Sequence, residues 1–357
     1  MKKSKTTISD IAKYLNISAS TVSRALNDHE LINDKTKEEV KNAARLLNYR
    51  PNQHARSLQT GKSGLLGLLL PHLKSRFYQQ IHLAVEQAAQ AQGQQVIISF
   101  SQNSYAKEQK CLAFFEQLQI DGLIVVVAES TKNYEHFELF QEQTPLVFIS
   151  RRAPILNASM LLSNDRQGSY DAARYFIDQG KTKLAFMGHH SSLPNIKERE
   201  KGFKDALMDV QLELPEEWLY RGPLSNQAAY DYAYQLAKQN HFPDAVLFGA
   251  AEAAVGWLTF CQEAGISIPD QVGLMTWDET DYCSFLRPSI STITQKGFEM
   301  GLQASKILFN HIQRKIAIEP TLKLFRPQLT HRASSVIDKE NQQHFSLPQI
   351  GNQPPSE

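Results

Sequence analysis

Residues 17–27 read Ile17-Ser18-Ala19-Ser20-Thr21-Val22-Ser23-Arg24-Ala25-Leu26-Asn27, and the reading of the N-terminal part turns on them. Ser18 is a helix-capping type, because its side-chain oxygen accepts a backbone N–H left free in a first turn. Beyond it Val22, Ala25 and Leu26 recur at helical spacing and point inward. The other side carries Ala19, Ser20, Thr21, Ser23 and Arg24, which is small, hydroxylic and singly basic, where a solvated helix usually mixes Glu and Lys. Upstream, Ser9 takes a cap position before Asp10-Ile11-Ala12-Lys13-Tyr14-Leu15, with Ile11, Ala12 and Leu15 on one face and a turn at Asn16-Ile17. Downstream, Asn33 caps a third helix whose apolar positions are Val40, Ala43, Ala44 and Leu47. Two short helices joined by a tight turn make a helix-turn-helix, and the second is the one that enters a major groove.

The charge is placed to suit that reading. Residues 1–62 hold twelve Lys/Arg and six Asp/Glu, while the rest of the 357 residues hold 26 and 31, so a net charge of +1 hides a basic head on an acidic body. Such a division points to a polyanion-binding module joined to something with another task. The longest apolar run, Leu65 to Leu70, stops at Pro71, well short of the roughly 18 residues of a membrane helix. Polar Thr6-Thr7-Ile8-Ser9-Asp10 stands where a signal peptide needs an apolar core, so a cytoplasmic, nucleoid-associated protein is expected. Cys111, Cys261 and Cys283 form no C-x-x-C pair, and neither a disulfide framework nor a metal site is expected.

Pro51 breaks the third helix, and Asn52 to Thr60 can form a short helix ending at Gly61. Alone it is too short to be stable in water and needs DNA or a partner chain to order it. Leu58 has no local core to join, and leucines near basic residues serve as minor-groove wedges. Gly61-Lys62-Ser63 is no phosphate loop, since Arg56 stands where the first glycine is required.

From residue 64 the period changes. Short apolar runs at 65–70, 95–100, 123–127, 146–149, 184–187, 245–248 and 272–276 alternate with helical stretches at 77–92, 105–119, 133–142, 168–179, 196–210, 226–239 and 252–264. Near-continuous apolar strands between amphipathic helices mean parallel sheets covered on both faces. A break near 150–165 divides them into two, with the ligand cleft expected beyond the carboxyl ends of the strands. The chain is expected to return to the first half near Thr292-Ile293, and residues 338–357, rich in Gln and Pro, read as a disordered tail. The body carries no G-x-G-x-x-G, G-x-S-x-G or H-E-x-x-H, and His189-His190 lacks a neighbouring ligand partner, so no enzyme is expected.

Thr7-Ile8-Ser9-Asp10-Ile11-Ala12, the stretch 17–27 and Tyr49-Arg50-Pro51-Asn52-Gln53-His54-Ala55-Arg56-Ser57-Leu58 resemble the head and hinge of the lactose/galactose-repressor (LacI/GalR) family, and the resemblance runs from about residue 6 to residue 333. It implies a small all-α helix-turn-helix head (1–50), a hinge (51–63), an α/β two-lobed, periplasmic-binding-protein-like effector domain (64–333) and a tail (334–357). Lobe 1 is expected at about 64–163 and 293–326, lobe 2 at about 164–290. It further implies base readout by Ala19, Ser20 and Arg24, phosphate contacts from Ser18, Thr21, Ser23 and Asn27, and minor-groove contacts from Ala55, Arg56 and Leu58.

In the body, Arg199-Glu200-Lys201-Gly202-Phe203 matches a segment whose Arg binds effector, and Thr276-Trp277-Asp278 a strand end whose Asp binds sugar hydroxyls. Guanidinium donors and carboxylate acceptors suit vicinal hydroxyls, and Phe77 or Tyr78 can face the apolar side of a sugar ring. With Arg151 these form the expected effector set, Arg199 donating from the wall opposite Asp278. Three positions depart from the family: Ala250-Ala251 where Asn-Asp is usual, Ser150 before Arg151 where Asp is common, and Leu224 at an often aromatic position. The expected protein is a homodimeric repressor of carbohydrate-utilisation genes, binding double-stranded operator DNA and a sugar or sugar phosphate, without a cofactor. The alternatives are a catabolite-control regulator with a protein corepressor, a sugar-binding protein with no DNA role, and an α/β enzyme.

Overall fold

Thr7, not Ser9, begins the first helix. The Thr7 backbone N–H and hydroxyl both donate to Asp10 Oδ2 at 2.8 Å, the carboxylate arm of a capping box, which needs an acceptor three residues on. Ser9, directly before Asp10, falls inside α1 (Ile8–Leu15). Helix α2 (Ala19–Leu26) is capped by Ser18 Oγ, which accepts the Thr21 N–H at 3.1 Å. Helix α3 (Asp34–Leu46) is capped by Asn33 Oδ1, which accepts the Thr36 N–H at 2.7 Å. Their apolar faces meet in a core of Ile11, Val22, Ala25 and Val40, all fully buried. The computed structural model describes residues 6–49, 62–155, 157–189, 193–314 and 319–336, and divides into this head, up to Ser63, and a body from Gly64. The hinge residues Ala55, Arg56 and Leu58 lie outside the described residues.

The body winds strand and helix alternately. In its first half come β1 (Leu65–Leu70), α4 (Arg76–Ala91), β2 (Gln95–Phe100), α5 (Tyr105–Gln117), β3 (Gly122–Val125), α6 (Glu135–Gln143), β4 (Leu146–Ser150) and β5 (Ser159–Ser163). Then follow α7 (Asp165–Asp178), β6 (Leu184–Gly188), α8 (Pro194–Met208), β7 (Leu219–Arg221), α9 (Asn226–Lys238), β8 (Ala245–Phe248), α10 (Ala251–Glu263), β9 (Gly273–Trp277), α11 (Tyr282–Phe285), β10 (Ser291–Thr294), α12 (Gly297–Arg314), β11 (Leu322–Phe325) and β12 (Gln328–Thr330). The first sheet runs β11-β5-β4-β3-β1-β2, wholly parallel, and the second β12-β10-β9-β8-β6-β7, parallel except for the edge strand β12. Strand order reverses between β1 and β3 and between β6 and β8, so the loops at those carboxyl ends diverge and leave room for a ligand.

Two boundaries differ from those expected. Ser291–Thr294 belongs to the second sheet, pairing Thr292 with Thr276 and Ile293 with Leu329, so the chain enters lobe 1 only after Thr294 and returns to lobe 2 after Phe325. Ser334 and Ser335 are not tail: both are buried, with the Ser334 hydroxyl donating to Leu274 C=O at 2.7 Å and accepting the Ser291 N–H at 2.8 Å. Strands β5, β7, β11 and β12 went unread because each is short or lacks a continuous apolar run.

Helix α7 begins at Asp165, three residues before the expected Gly168, because Asn164 Oδ1 accepts the Gln167 N–H at 3.2 Å and caps it. Its first turn lies against α8 at Gly202, where a Cβ would sit 1.9 Å from Arg166 C=O. Backbone cannot yield as a side-chain end can. Gly202→Ala is therefore expected to cost at least about 2 kcal/mol by overpacking, read as a lowered urea midpoint at unchanged slope.

Candidate functional site

On the head, the outer side of α2 is open. Ser18, Ala19, Ser20, Arg24 and Asn27 are exposed, and Thr21 and Ser23 half-buried. Ser18 Oγ lies 2.7 Å from Ser20 Oγ and 2.8 Å from Thr21 Oγ1, so three hydroxyls gather at a helix start whose free N–H groups already favour an anion. Asn27 Nδ2 donates to Ser23 C=O at 3.0 Å, which holds its side chain along the helix. Arg24 has neither hydrogen bond nor ion pair among the described residues, and its fork is free for a base edge or a phosphate. Residues 6–49 carry six Lys/Arg and six Asp/Glu, so the positive excess of the head sits on residues 1–5 and 50–62.

The body cleft is built from strand ends. On the lobe 2 wall, Arg199 of α8 is 5% exposed. Its Nε donates to Asp165 Oδ1 at 2.8 Å, its Nη1 to Gly249 C=O at 3.4 Å, and its guanidinium stacks 3.9 Å from the centre of the Trp277 ring. Burial pushes the Asp165 carboxyl up to about 6 even against the adjacent Arg199, and its Oδ2 has no partner among the described residues. Asp278 follows β9 with φ +65, and burial raises its carboxyl as well. Arg199 and Asp278 thus stand on the same lobe, not on opposite walls: both come from elements wound around the second sheet.

The lobe 1 wall carries the other expected residues. Phe77 and Tyr78, both 8% exposed at the start of α4, pack into the lobe 1 core, and the Tyr78 ring meets His72 edge-on. Phe77 also lines, with Asp278, Gln295 and Arg332, a cavity of about 420 Å³ beside the strands where the chain changes lobes. Arg151, just past β4, is 7% exposed, and its Nη1 donates to Val127 C=O at 2.6 Å and Asn103 Oδ1 at 2.7 Å. Burial lowers the His72 imidazole, with Arg151 and Lys74 adding to the shift and Asp278 opposing it. The departures leave apolar wall: Ala250 caps α10 without a side-chain bond, Ala251 is buried, and Leu224 packs against Gly249.

Asp165, Trp277 as a stacking face, His72 and Asn103 were missed as site residues. Asp165 and Arg199 are 34 residues apart, and no local period links them. Asn164-Asp165, the cap and first residue of α7, was the one available signal, since the cap places Asp165 in the first turn. Among the described residues no group of three His, Cys, Asp or Glu could hold a metal ion, and no helix is long and apolar enough to cross a membrane.

Comparison with known proteins agrees with both halves. The pattern of bacterial regulatory proteins of the lacI family matches residues 7–52, and that of a periplasmic binding protein-like domain matches residues 173–335. The chain is 28% identical over 330 residues to the HTH-type transcriptional repressor PurR of Actinobacillus pleuropneumoniae, covering 92% of this chain and 98% of that one. Against the repressor PurR of Vibrio vulnificus it is 27% identical over 309 residues, 87% and 92% of the two chains. In fold it resembles the lac repressor dimer bound to operator and the anti-inducer ONPF, with a TM-score of 0.81 and 22% identity over 93% of this chain and 100% of that one. It also resembles the regulator CelR in complex with cellobiose, with a TM-score of 0.67 and 19% identity over the same shares.

Two outcomes follow from this geometry. The folded chain holds a proton on Asp165 between the ordinary 3.8 and about 6, where the unfolded chain has released it. Its contribution to stability is therefore largest below that window and falls as pH rises through it. Urea unfolding of wild type and Asp165→Asn, compared from about pH 4 to about pH 6.5, should show the difference moving against wild type as pH rises; a constant difference would contradict the shift. Arg199→Ala, which strands Asp165 in the interior, should cost about 3–5 kcal/mol in the same assay and so is a fold-breaking change rather than a clean probe of ligand binding.

Proposed function

We propose, for a chain that belongs to the lacI family of bacterial regulatory proteins, a mode of action in which a homodimer holds an inverted-repeat operator and a small effector in the cleft between the lobes decides whether it stays bound. The chain is a DNA-binding transcriptional repressor similar to PurR, with a periplasmic-binding-protein-like second unit. One observation carries the DNA reading: the outer face of α2 presents an unpartnered Arg24 beside the hydroxyls of Ser18, Ser20 and Thr21. The helix start takes phosphate and sets register, while a guanidinium fork reads O6 and N7 of a guanine. One head covers half a site, so a second copy supplies the other half and gives the operator its two-fold symmetry.

The effector reading rests on the strand ends. Asp278 accepts hydroxyl protons from lobe 2, and Phe77 offers a ring from lobe 1 in the same cavity. The flank residues Ala55, Arg56 and Leu58 take the minor groove in this scheme, and the protein works in the cytoplasm. The apolar stretch at Leu224, Ala250 and Ala251 favours an effector that makes few polar contacts with lobe 2, or a protein corepressor that needs none there.

Selection of bound duplexes from a randomised library by the full chain is expected to return an inverted repeat, and sedimentation of the complex to show two chains per duplex. On the selected site Arg24→Ala should lose about 1–3 kcal/mol, with less loss on random duplex. Equal losses on both would make Arg24 a phosphate contact, and recovery of no common sequence would overturn the operator reading.

A further inference from the structure

We infer that lobe 1 holds an anion site on Arg151 and that the effector of this chain is a hydroxylated carboxylate or phosphate whose negative group binds there. This deepens the effector reading above and rests on it.

The described body contains two buried arginines, Arg151 just past β4 and Arg199 within α8, treated in opposite ways. Arg199 is matched by Asp165 at 2.8 Å. Arg151 is 7% exposed and meets only neutral oxygens, Val127 C=O and Asn103 Oδ1, with no carboxylate within 4 Å among the described residues. A guanidinium taken out of water without a counter-charge is costly, and folds keep one where a ligand completes it. Both bonds use Nη1, whose two hydrogens they account for. The Nε–Nη2 edge is left, and that edge matches two oxygens of a carboxylate or phosphate side by side.

The backbone is bent to hold this arrangement. The Arg151 N–H donates to Ile149 C=O at 2.8 Å across Ser150, whose φ is +72. A three-residue turn with positive φ at a non-glycine centre is rare and strained, and such strain gathers at ligand sites. Asn103, which orients the guanidinium, also has positive φ, at +58. Two further polar atoms on this wall are buried without a partner among the described residues: His72 Nδ1, past β1, and Ser101 Oγ, past β2. Orphaned polar atoms at adjoining strand ends are what a ligand's oxygens would satisfy.

Lobe 2 does not supply the missing charge. Asp165 is committed to Arg199, and among the described residues neither it nor Asp278 comes within 4 Å of the Arg151 guanidinium, whose partners are Val127 C=O and Asn103 Oδ1. Asp278 remains an acceptor for hydroxyl groups, and the anion has to come with the ligand. A neutral sugar would leave the guanidinium uncompensated.

Inorganic phosphate is the first probe, because it needs no knowledge of the effector. Thermal unfolding of the full chain is followed in phosphate and in sodium chloride of equal ionic strength, for wild type, Arg151→Lys and Arg151→Gln. Wild type should show a saturable rise in Tm specific to phosphate. Arg151→Gln should lose it, and Arg151→Lys, a point charge without the fork, should need at least tenfold more phosphate. Phosphate bound by the DNA head is common to all three and cancels. If Arg151→Gln does not fold, the wild type against Arg151→Lys comparison decides alone. Calorimetry then sets gluconate and glucose 6-phosphate, which separate carboxylate from phosphate, beside glucose. Equal phosphate responses in all folded variants, or glucose binding wild type and Arg151→Gln alike, would overturn the anion site. Should glucose also alter operator affinity equally in both, the regulator reading stands while the anion assignment falls; an absence of specific operator binding by the ligand-free and the phosphate-saturated chain would sink the regulator reading and leave the anion site to its own result.

Discussion

Lobe 2 is arranged around one requirement, that the Arg199 guanidinium be buried against Asp165 and Trp277 at once. Burying an ion pair removes two charges from water, and only close geometry with the remaining hydrogen bonds satisfied repays that. The close geometry comes from Gly202, one helical turn along α8 from Arg199, which lets the helix backbone settle on Arg166 C=O beside Asp165. Any side chain there would push the helices apart and lengthen the 2.8 Å contact. The stack on Trp277 then ties α8 to the end of β9, beside which Asp278 lines the same cavity as Phe77.

A consequence reaches lobe 1. With Arg199 paired inside its own lobe, the buried guanidinium that has no carboxylate within 4 Å among the described residues is Arg151, which we propose as the anion site, while lobe 2 offers Asp278, a carboxyl whose charged form burial disfavours. On that proposal the two lobes ask different things of a ligand, and one that satisfies both would hold the lobes in a single relative position. That is how occupancy of a cleft becomes a preference between arrangements of a body, and differential affinity of this kind is what an allosteric effector needs.

The head separates affinity from specificity in a similar way. Its three-helix part, residues 6–49, is balanced in charge, and the basic excess lies on the two flanking segments. Sequence-independent attraction to phosphate scales with net positive charge, while base recognition needs a few donors held at fixed positions. The rigid three-helix part holds Arg24 and the Ser18 hydroxyl cluster in place, and the flanks carry the charge.

The sequence by itself determined whatever depends on neighbours a few residues away. Helix and strand periods, the caps at Ser18 and Asn33, the exposed outer face of α2 and the alternation of the body were legible, because capping and amphipathicity are properties of one turn or one strand. Even the error at Ser9 was a shift between two nearby hydroxyls, decided by which of them stands three residues before Asp10. Tertiary structure decided what depends on residues brought together from afar. Asp165 meets Arg199 across 34 residues and Ser334 meets Leu274 across 60. The lobe that Thr292-Ile293 joins is set by pairing with β9 and β12, not by its own apolar pattern. Whether an arginine is spent on its own fold or left for a ligand is the same kind of question. Arg151 and Arg199 look alike in sequence, and only the packing of distant elements puts a carboxylate beside one and neutral oxygens beside the other.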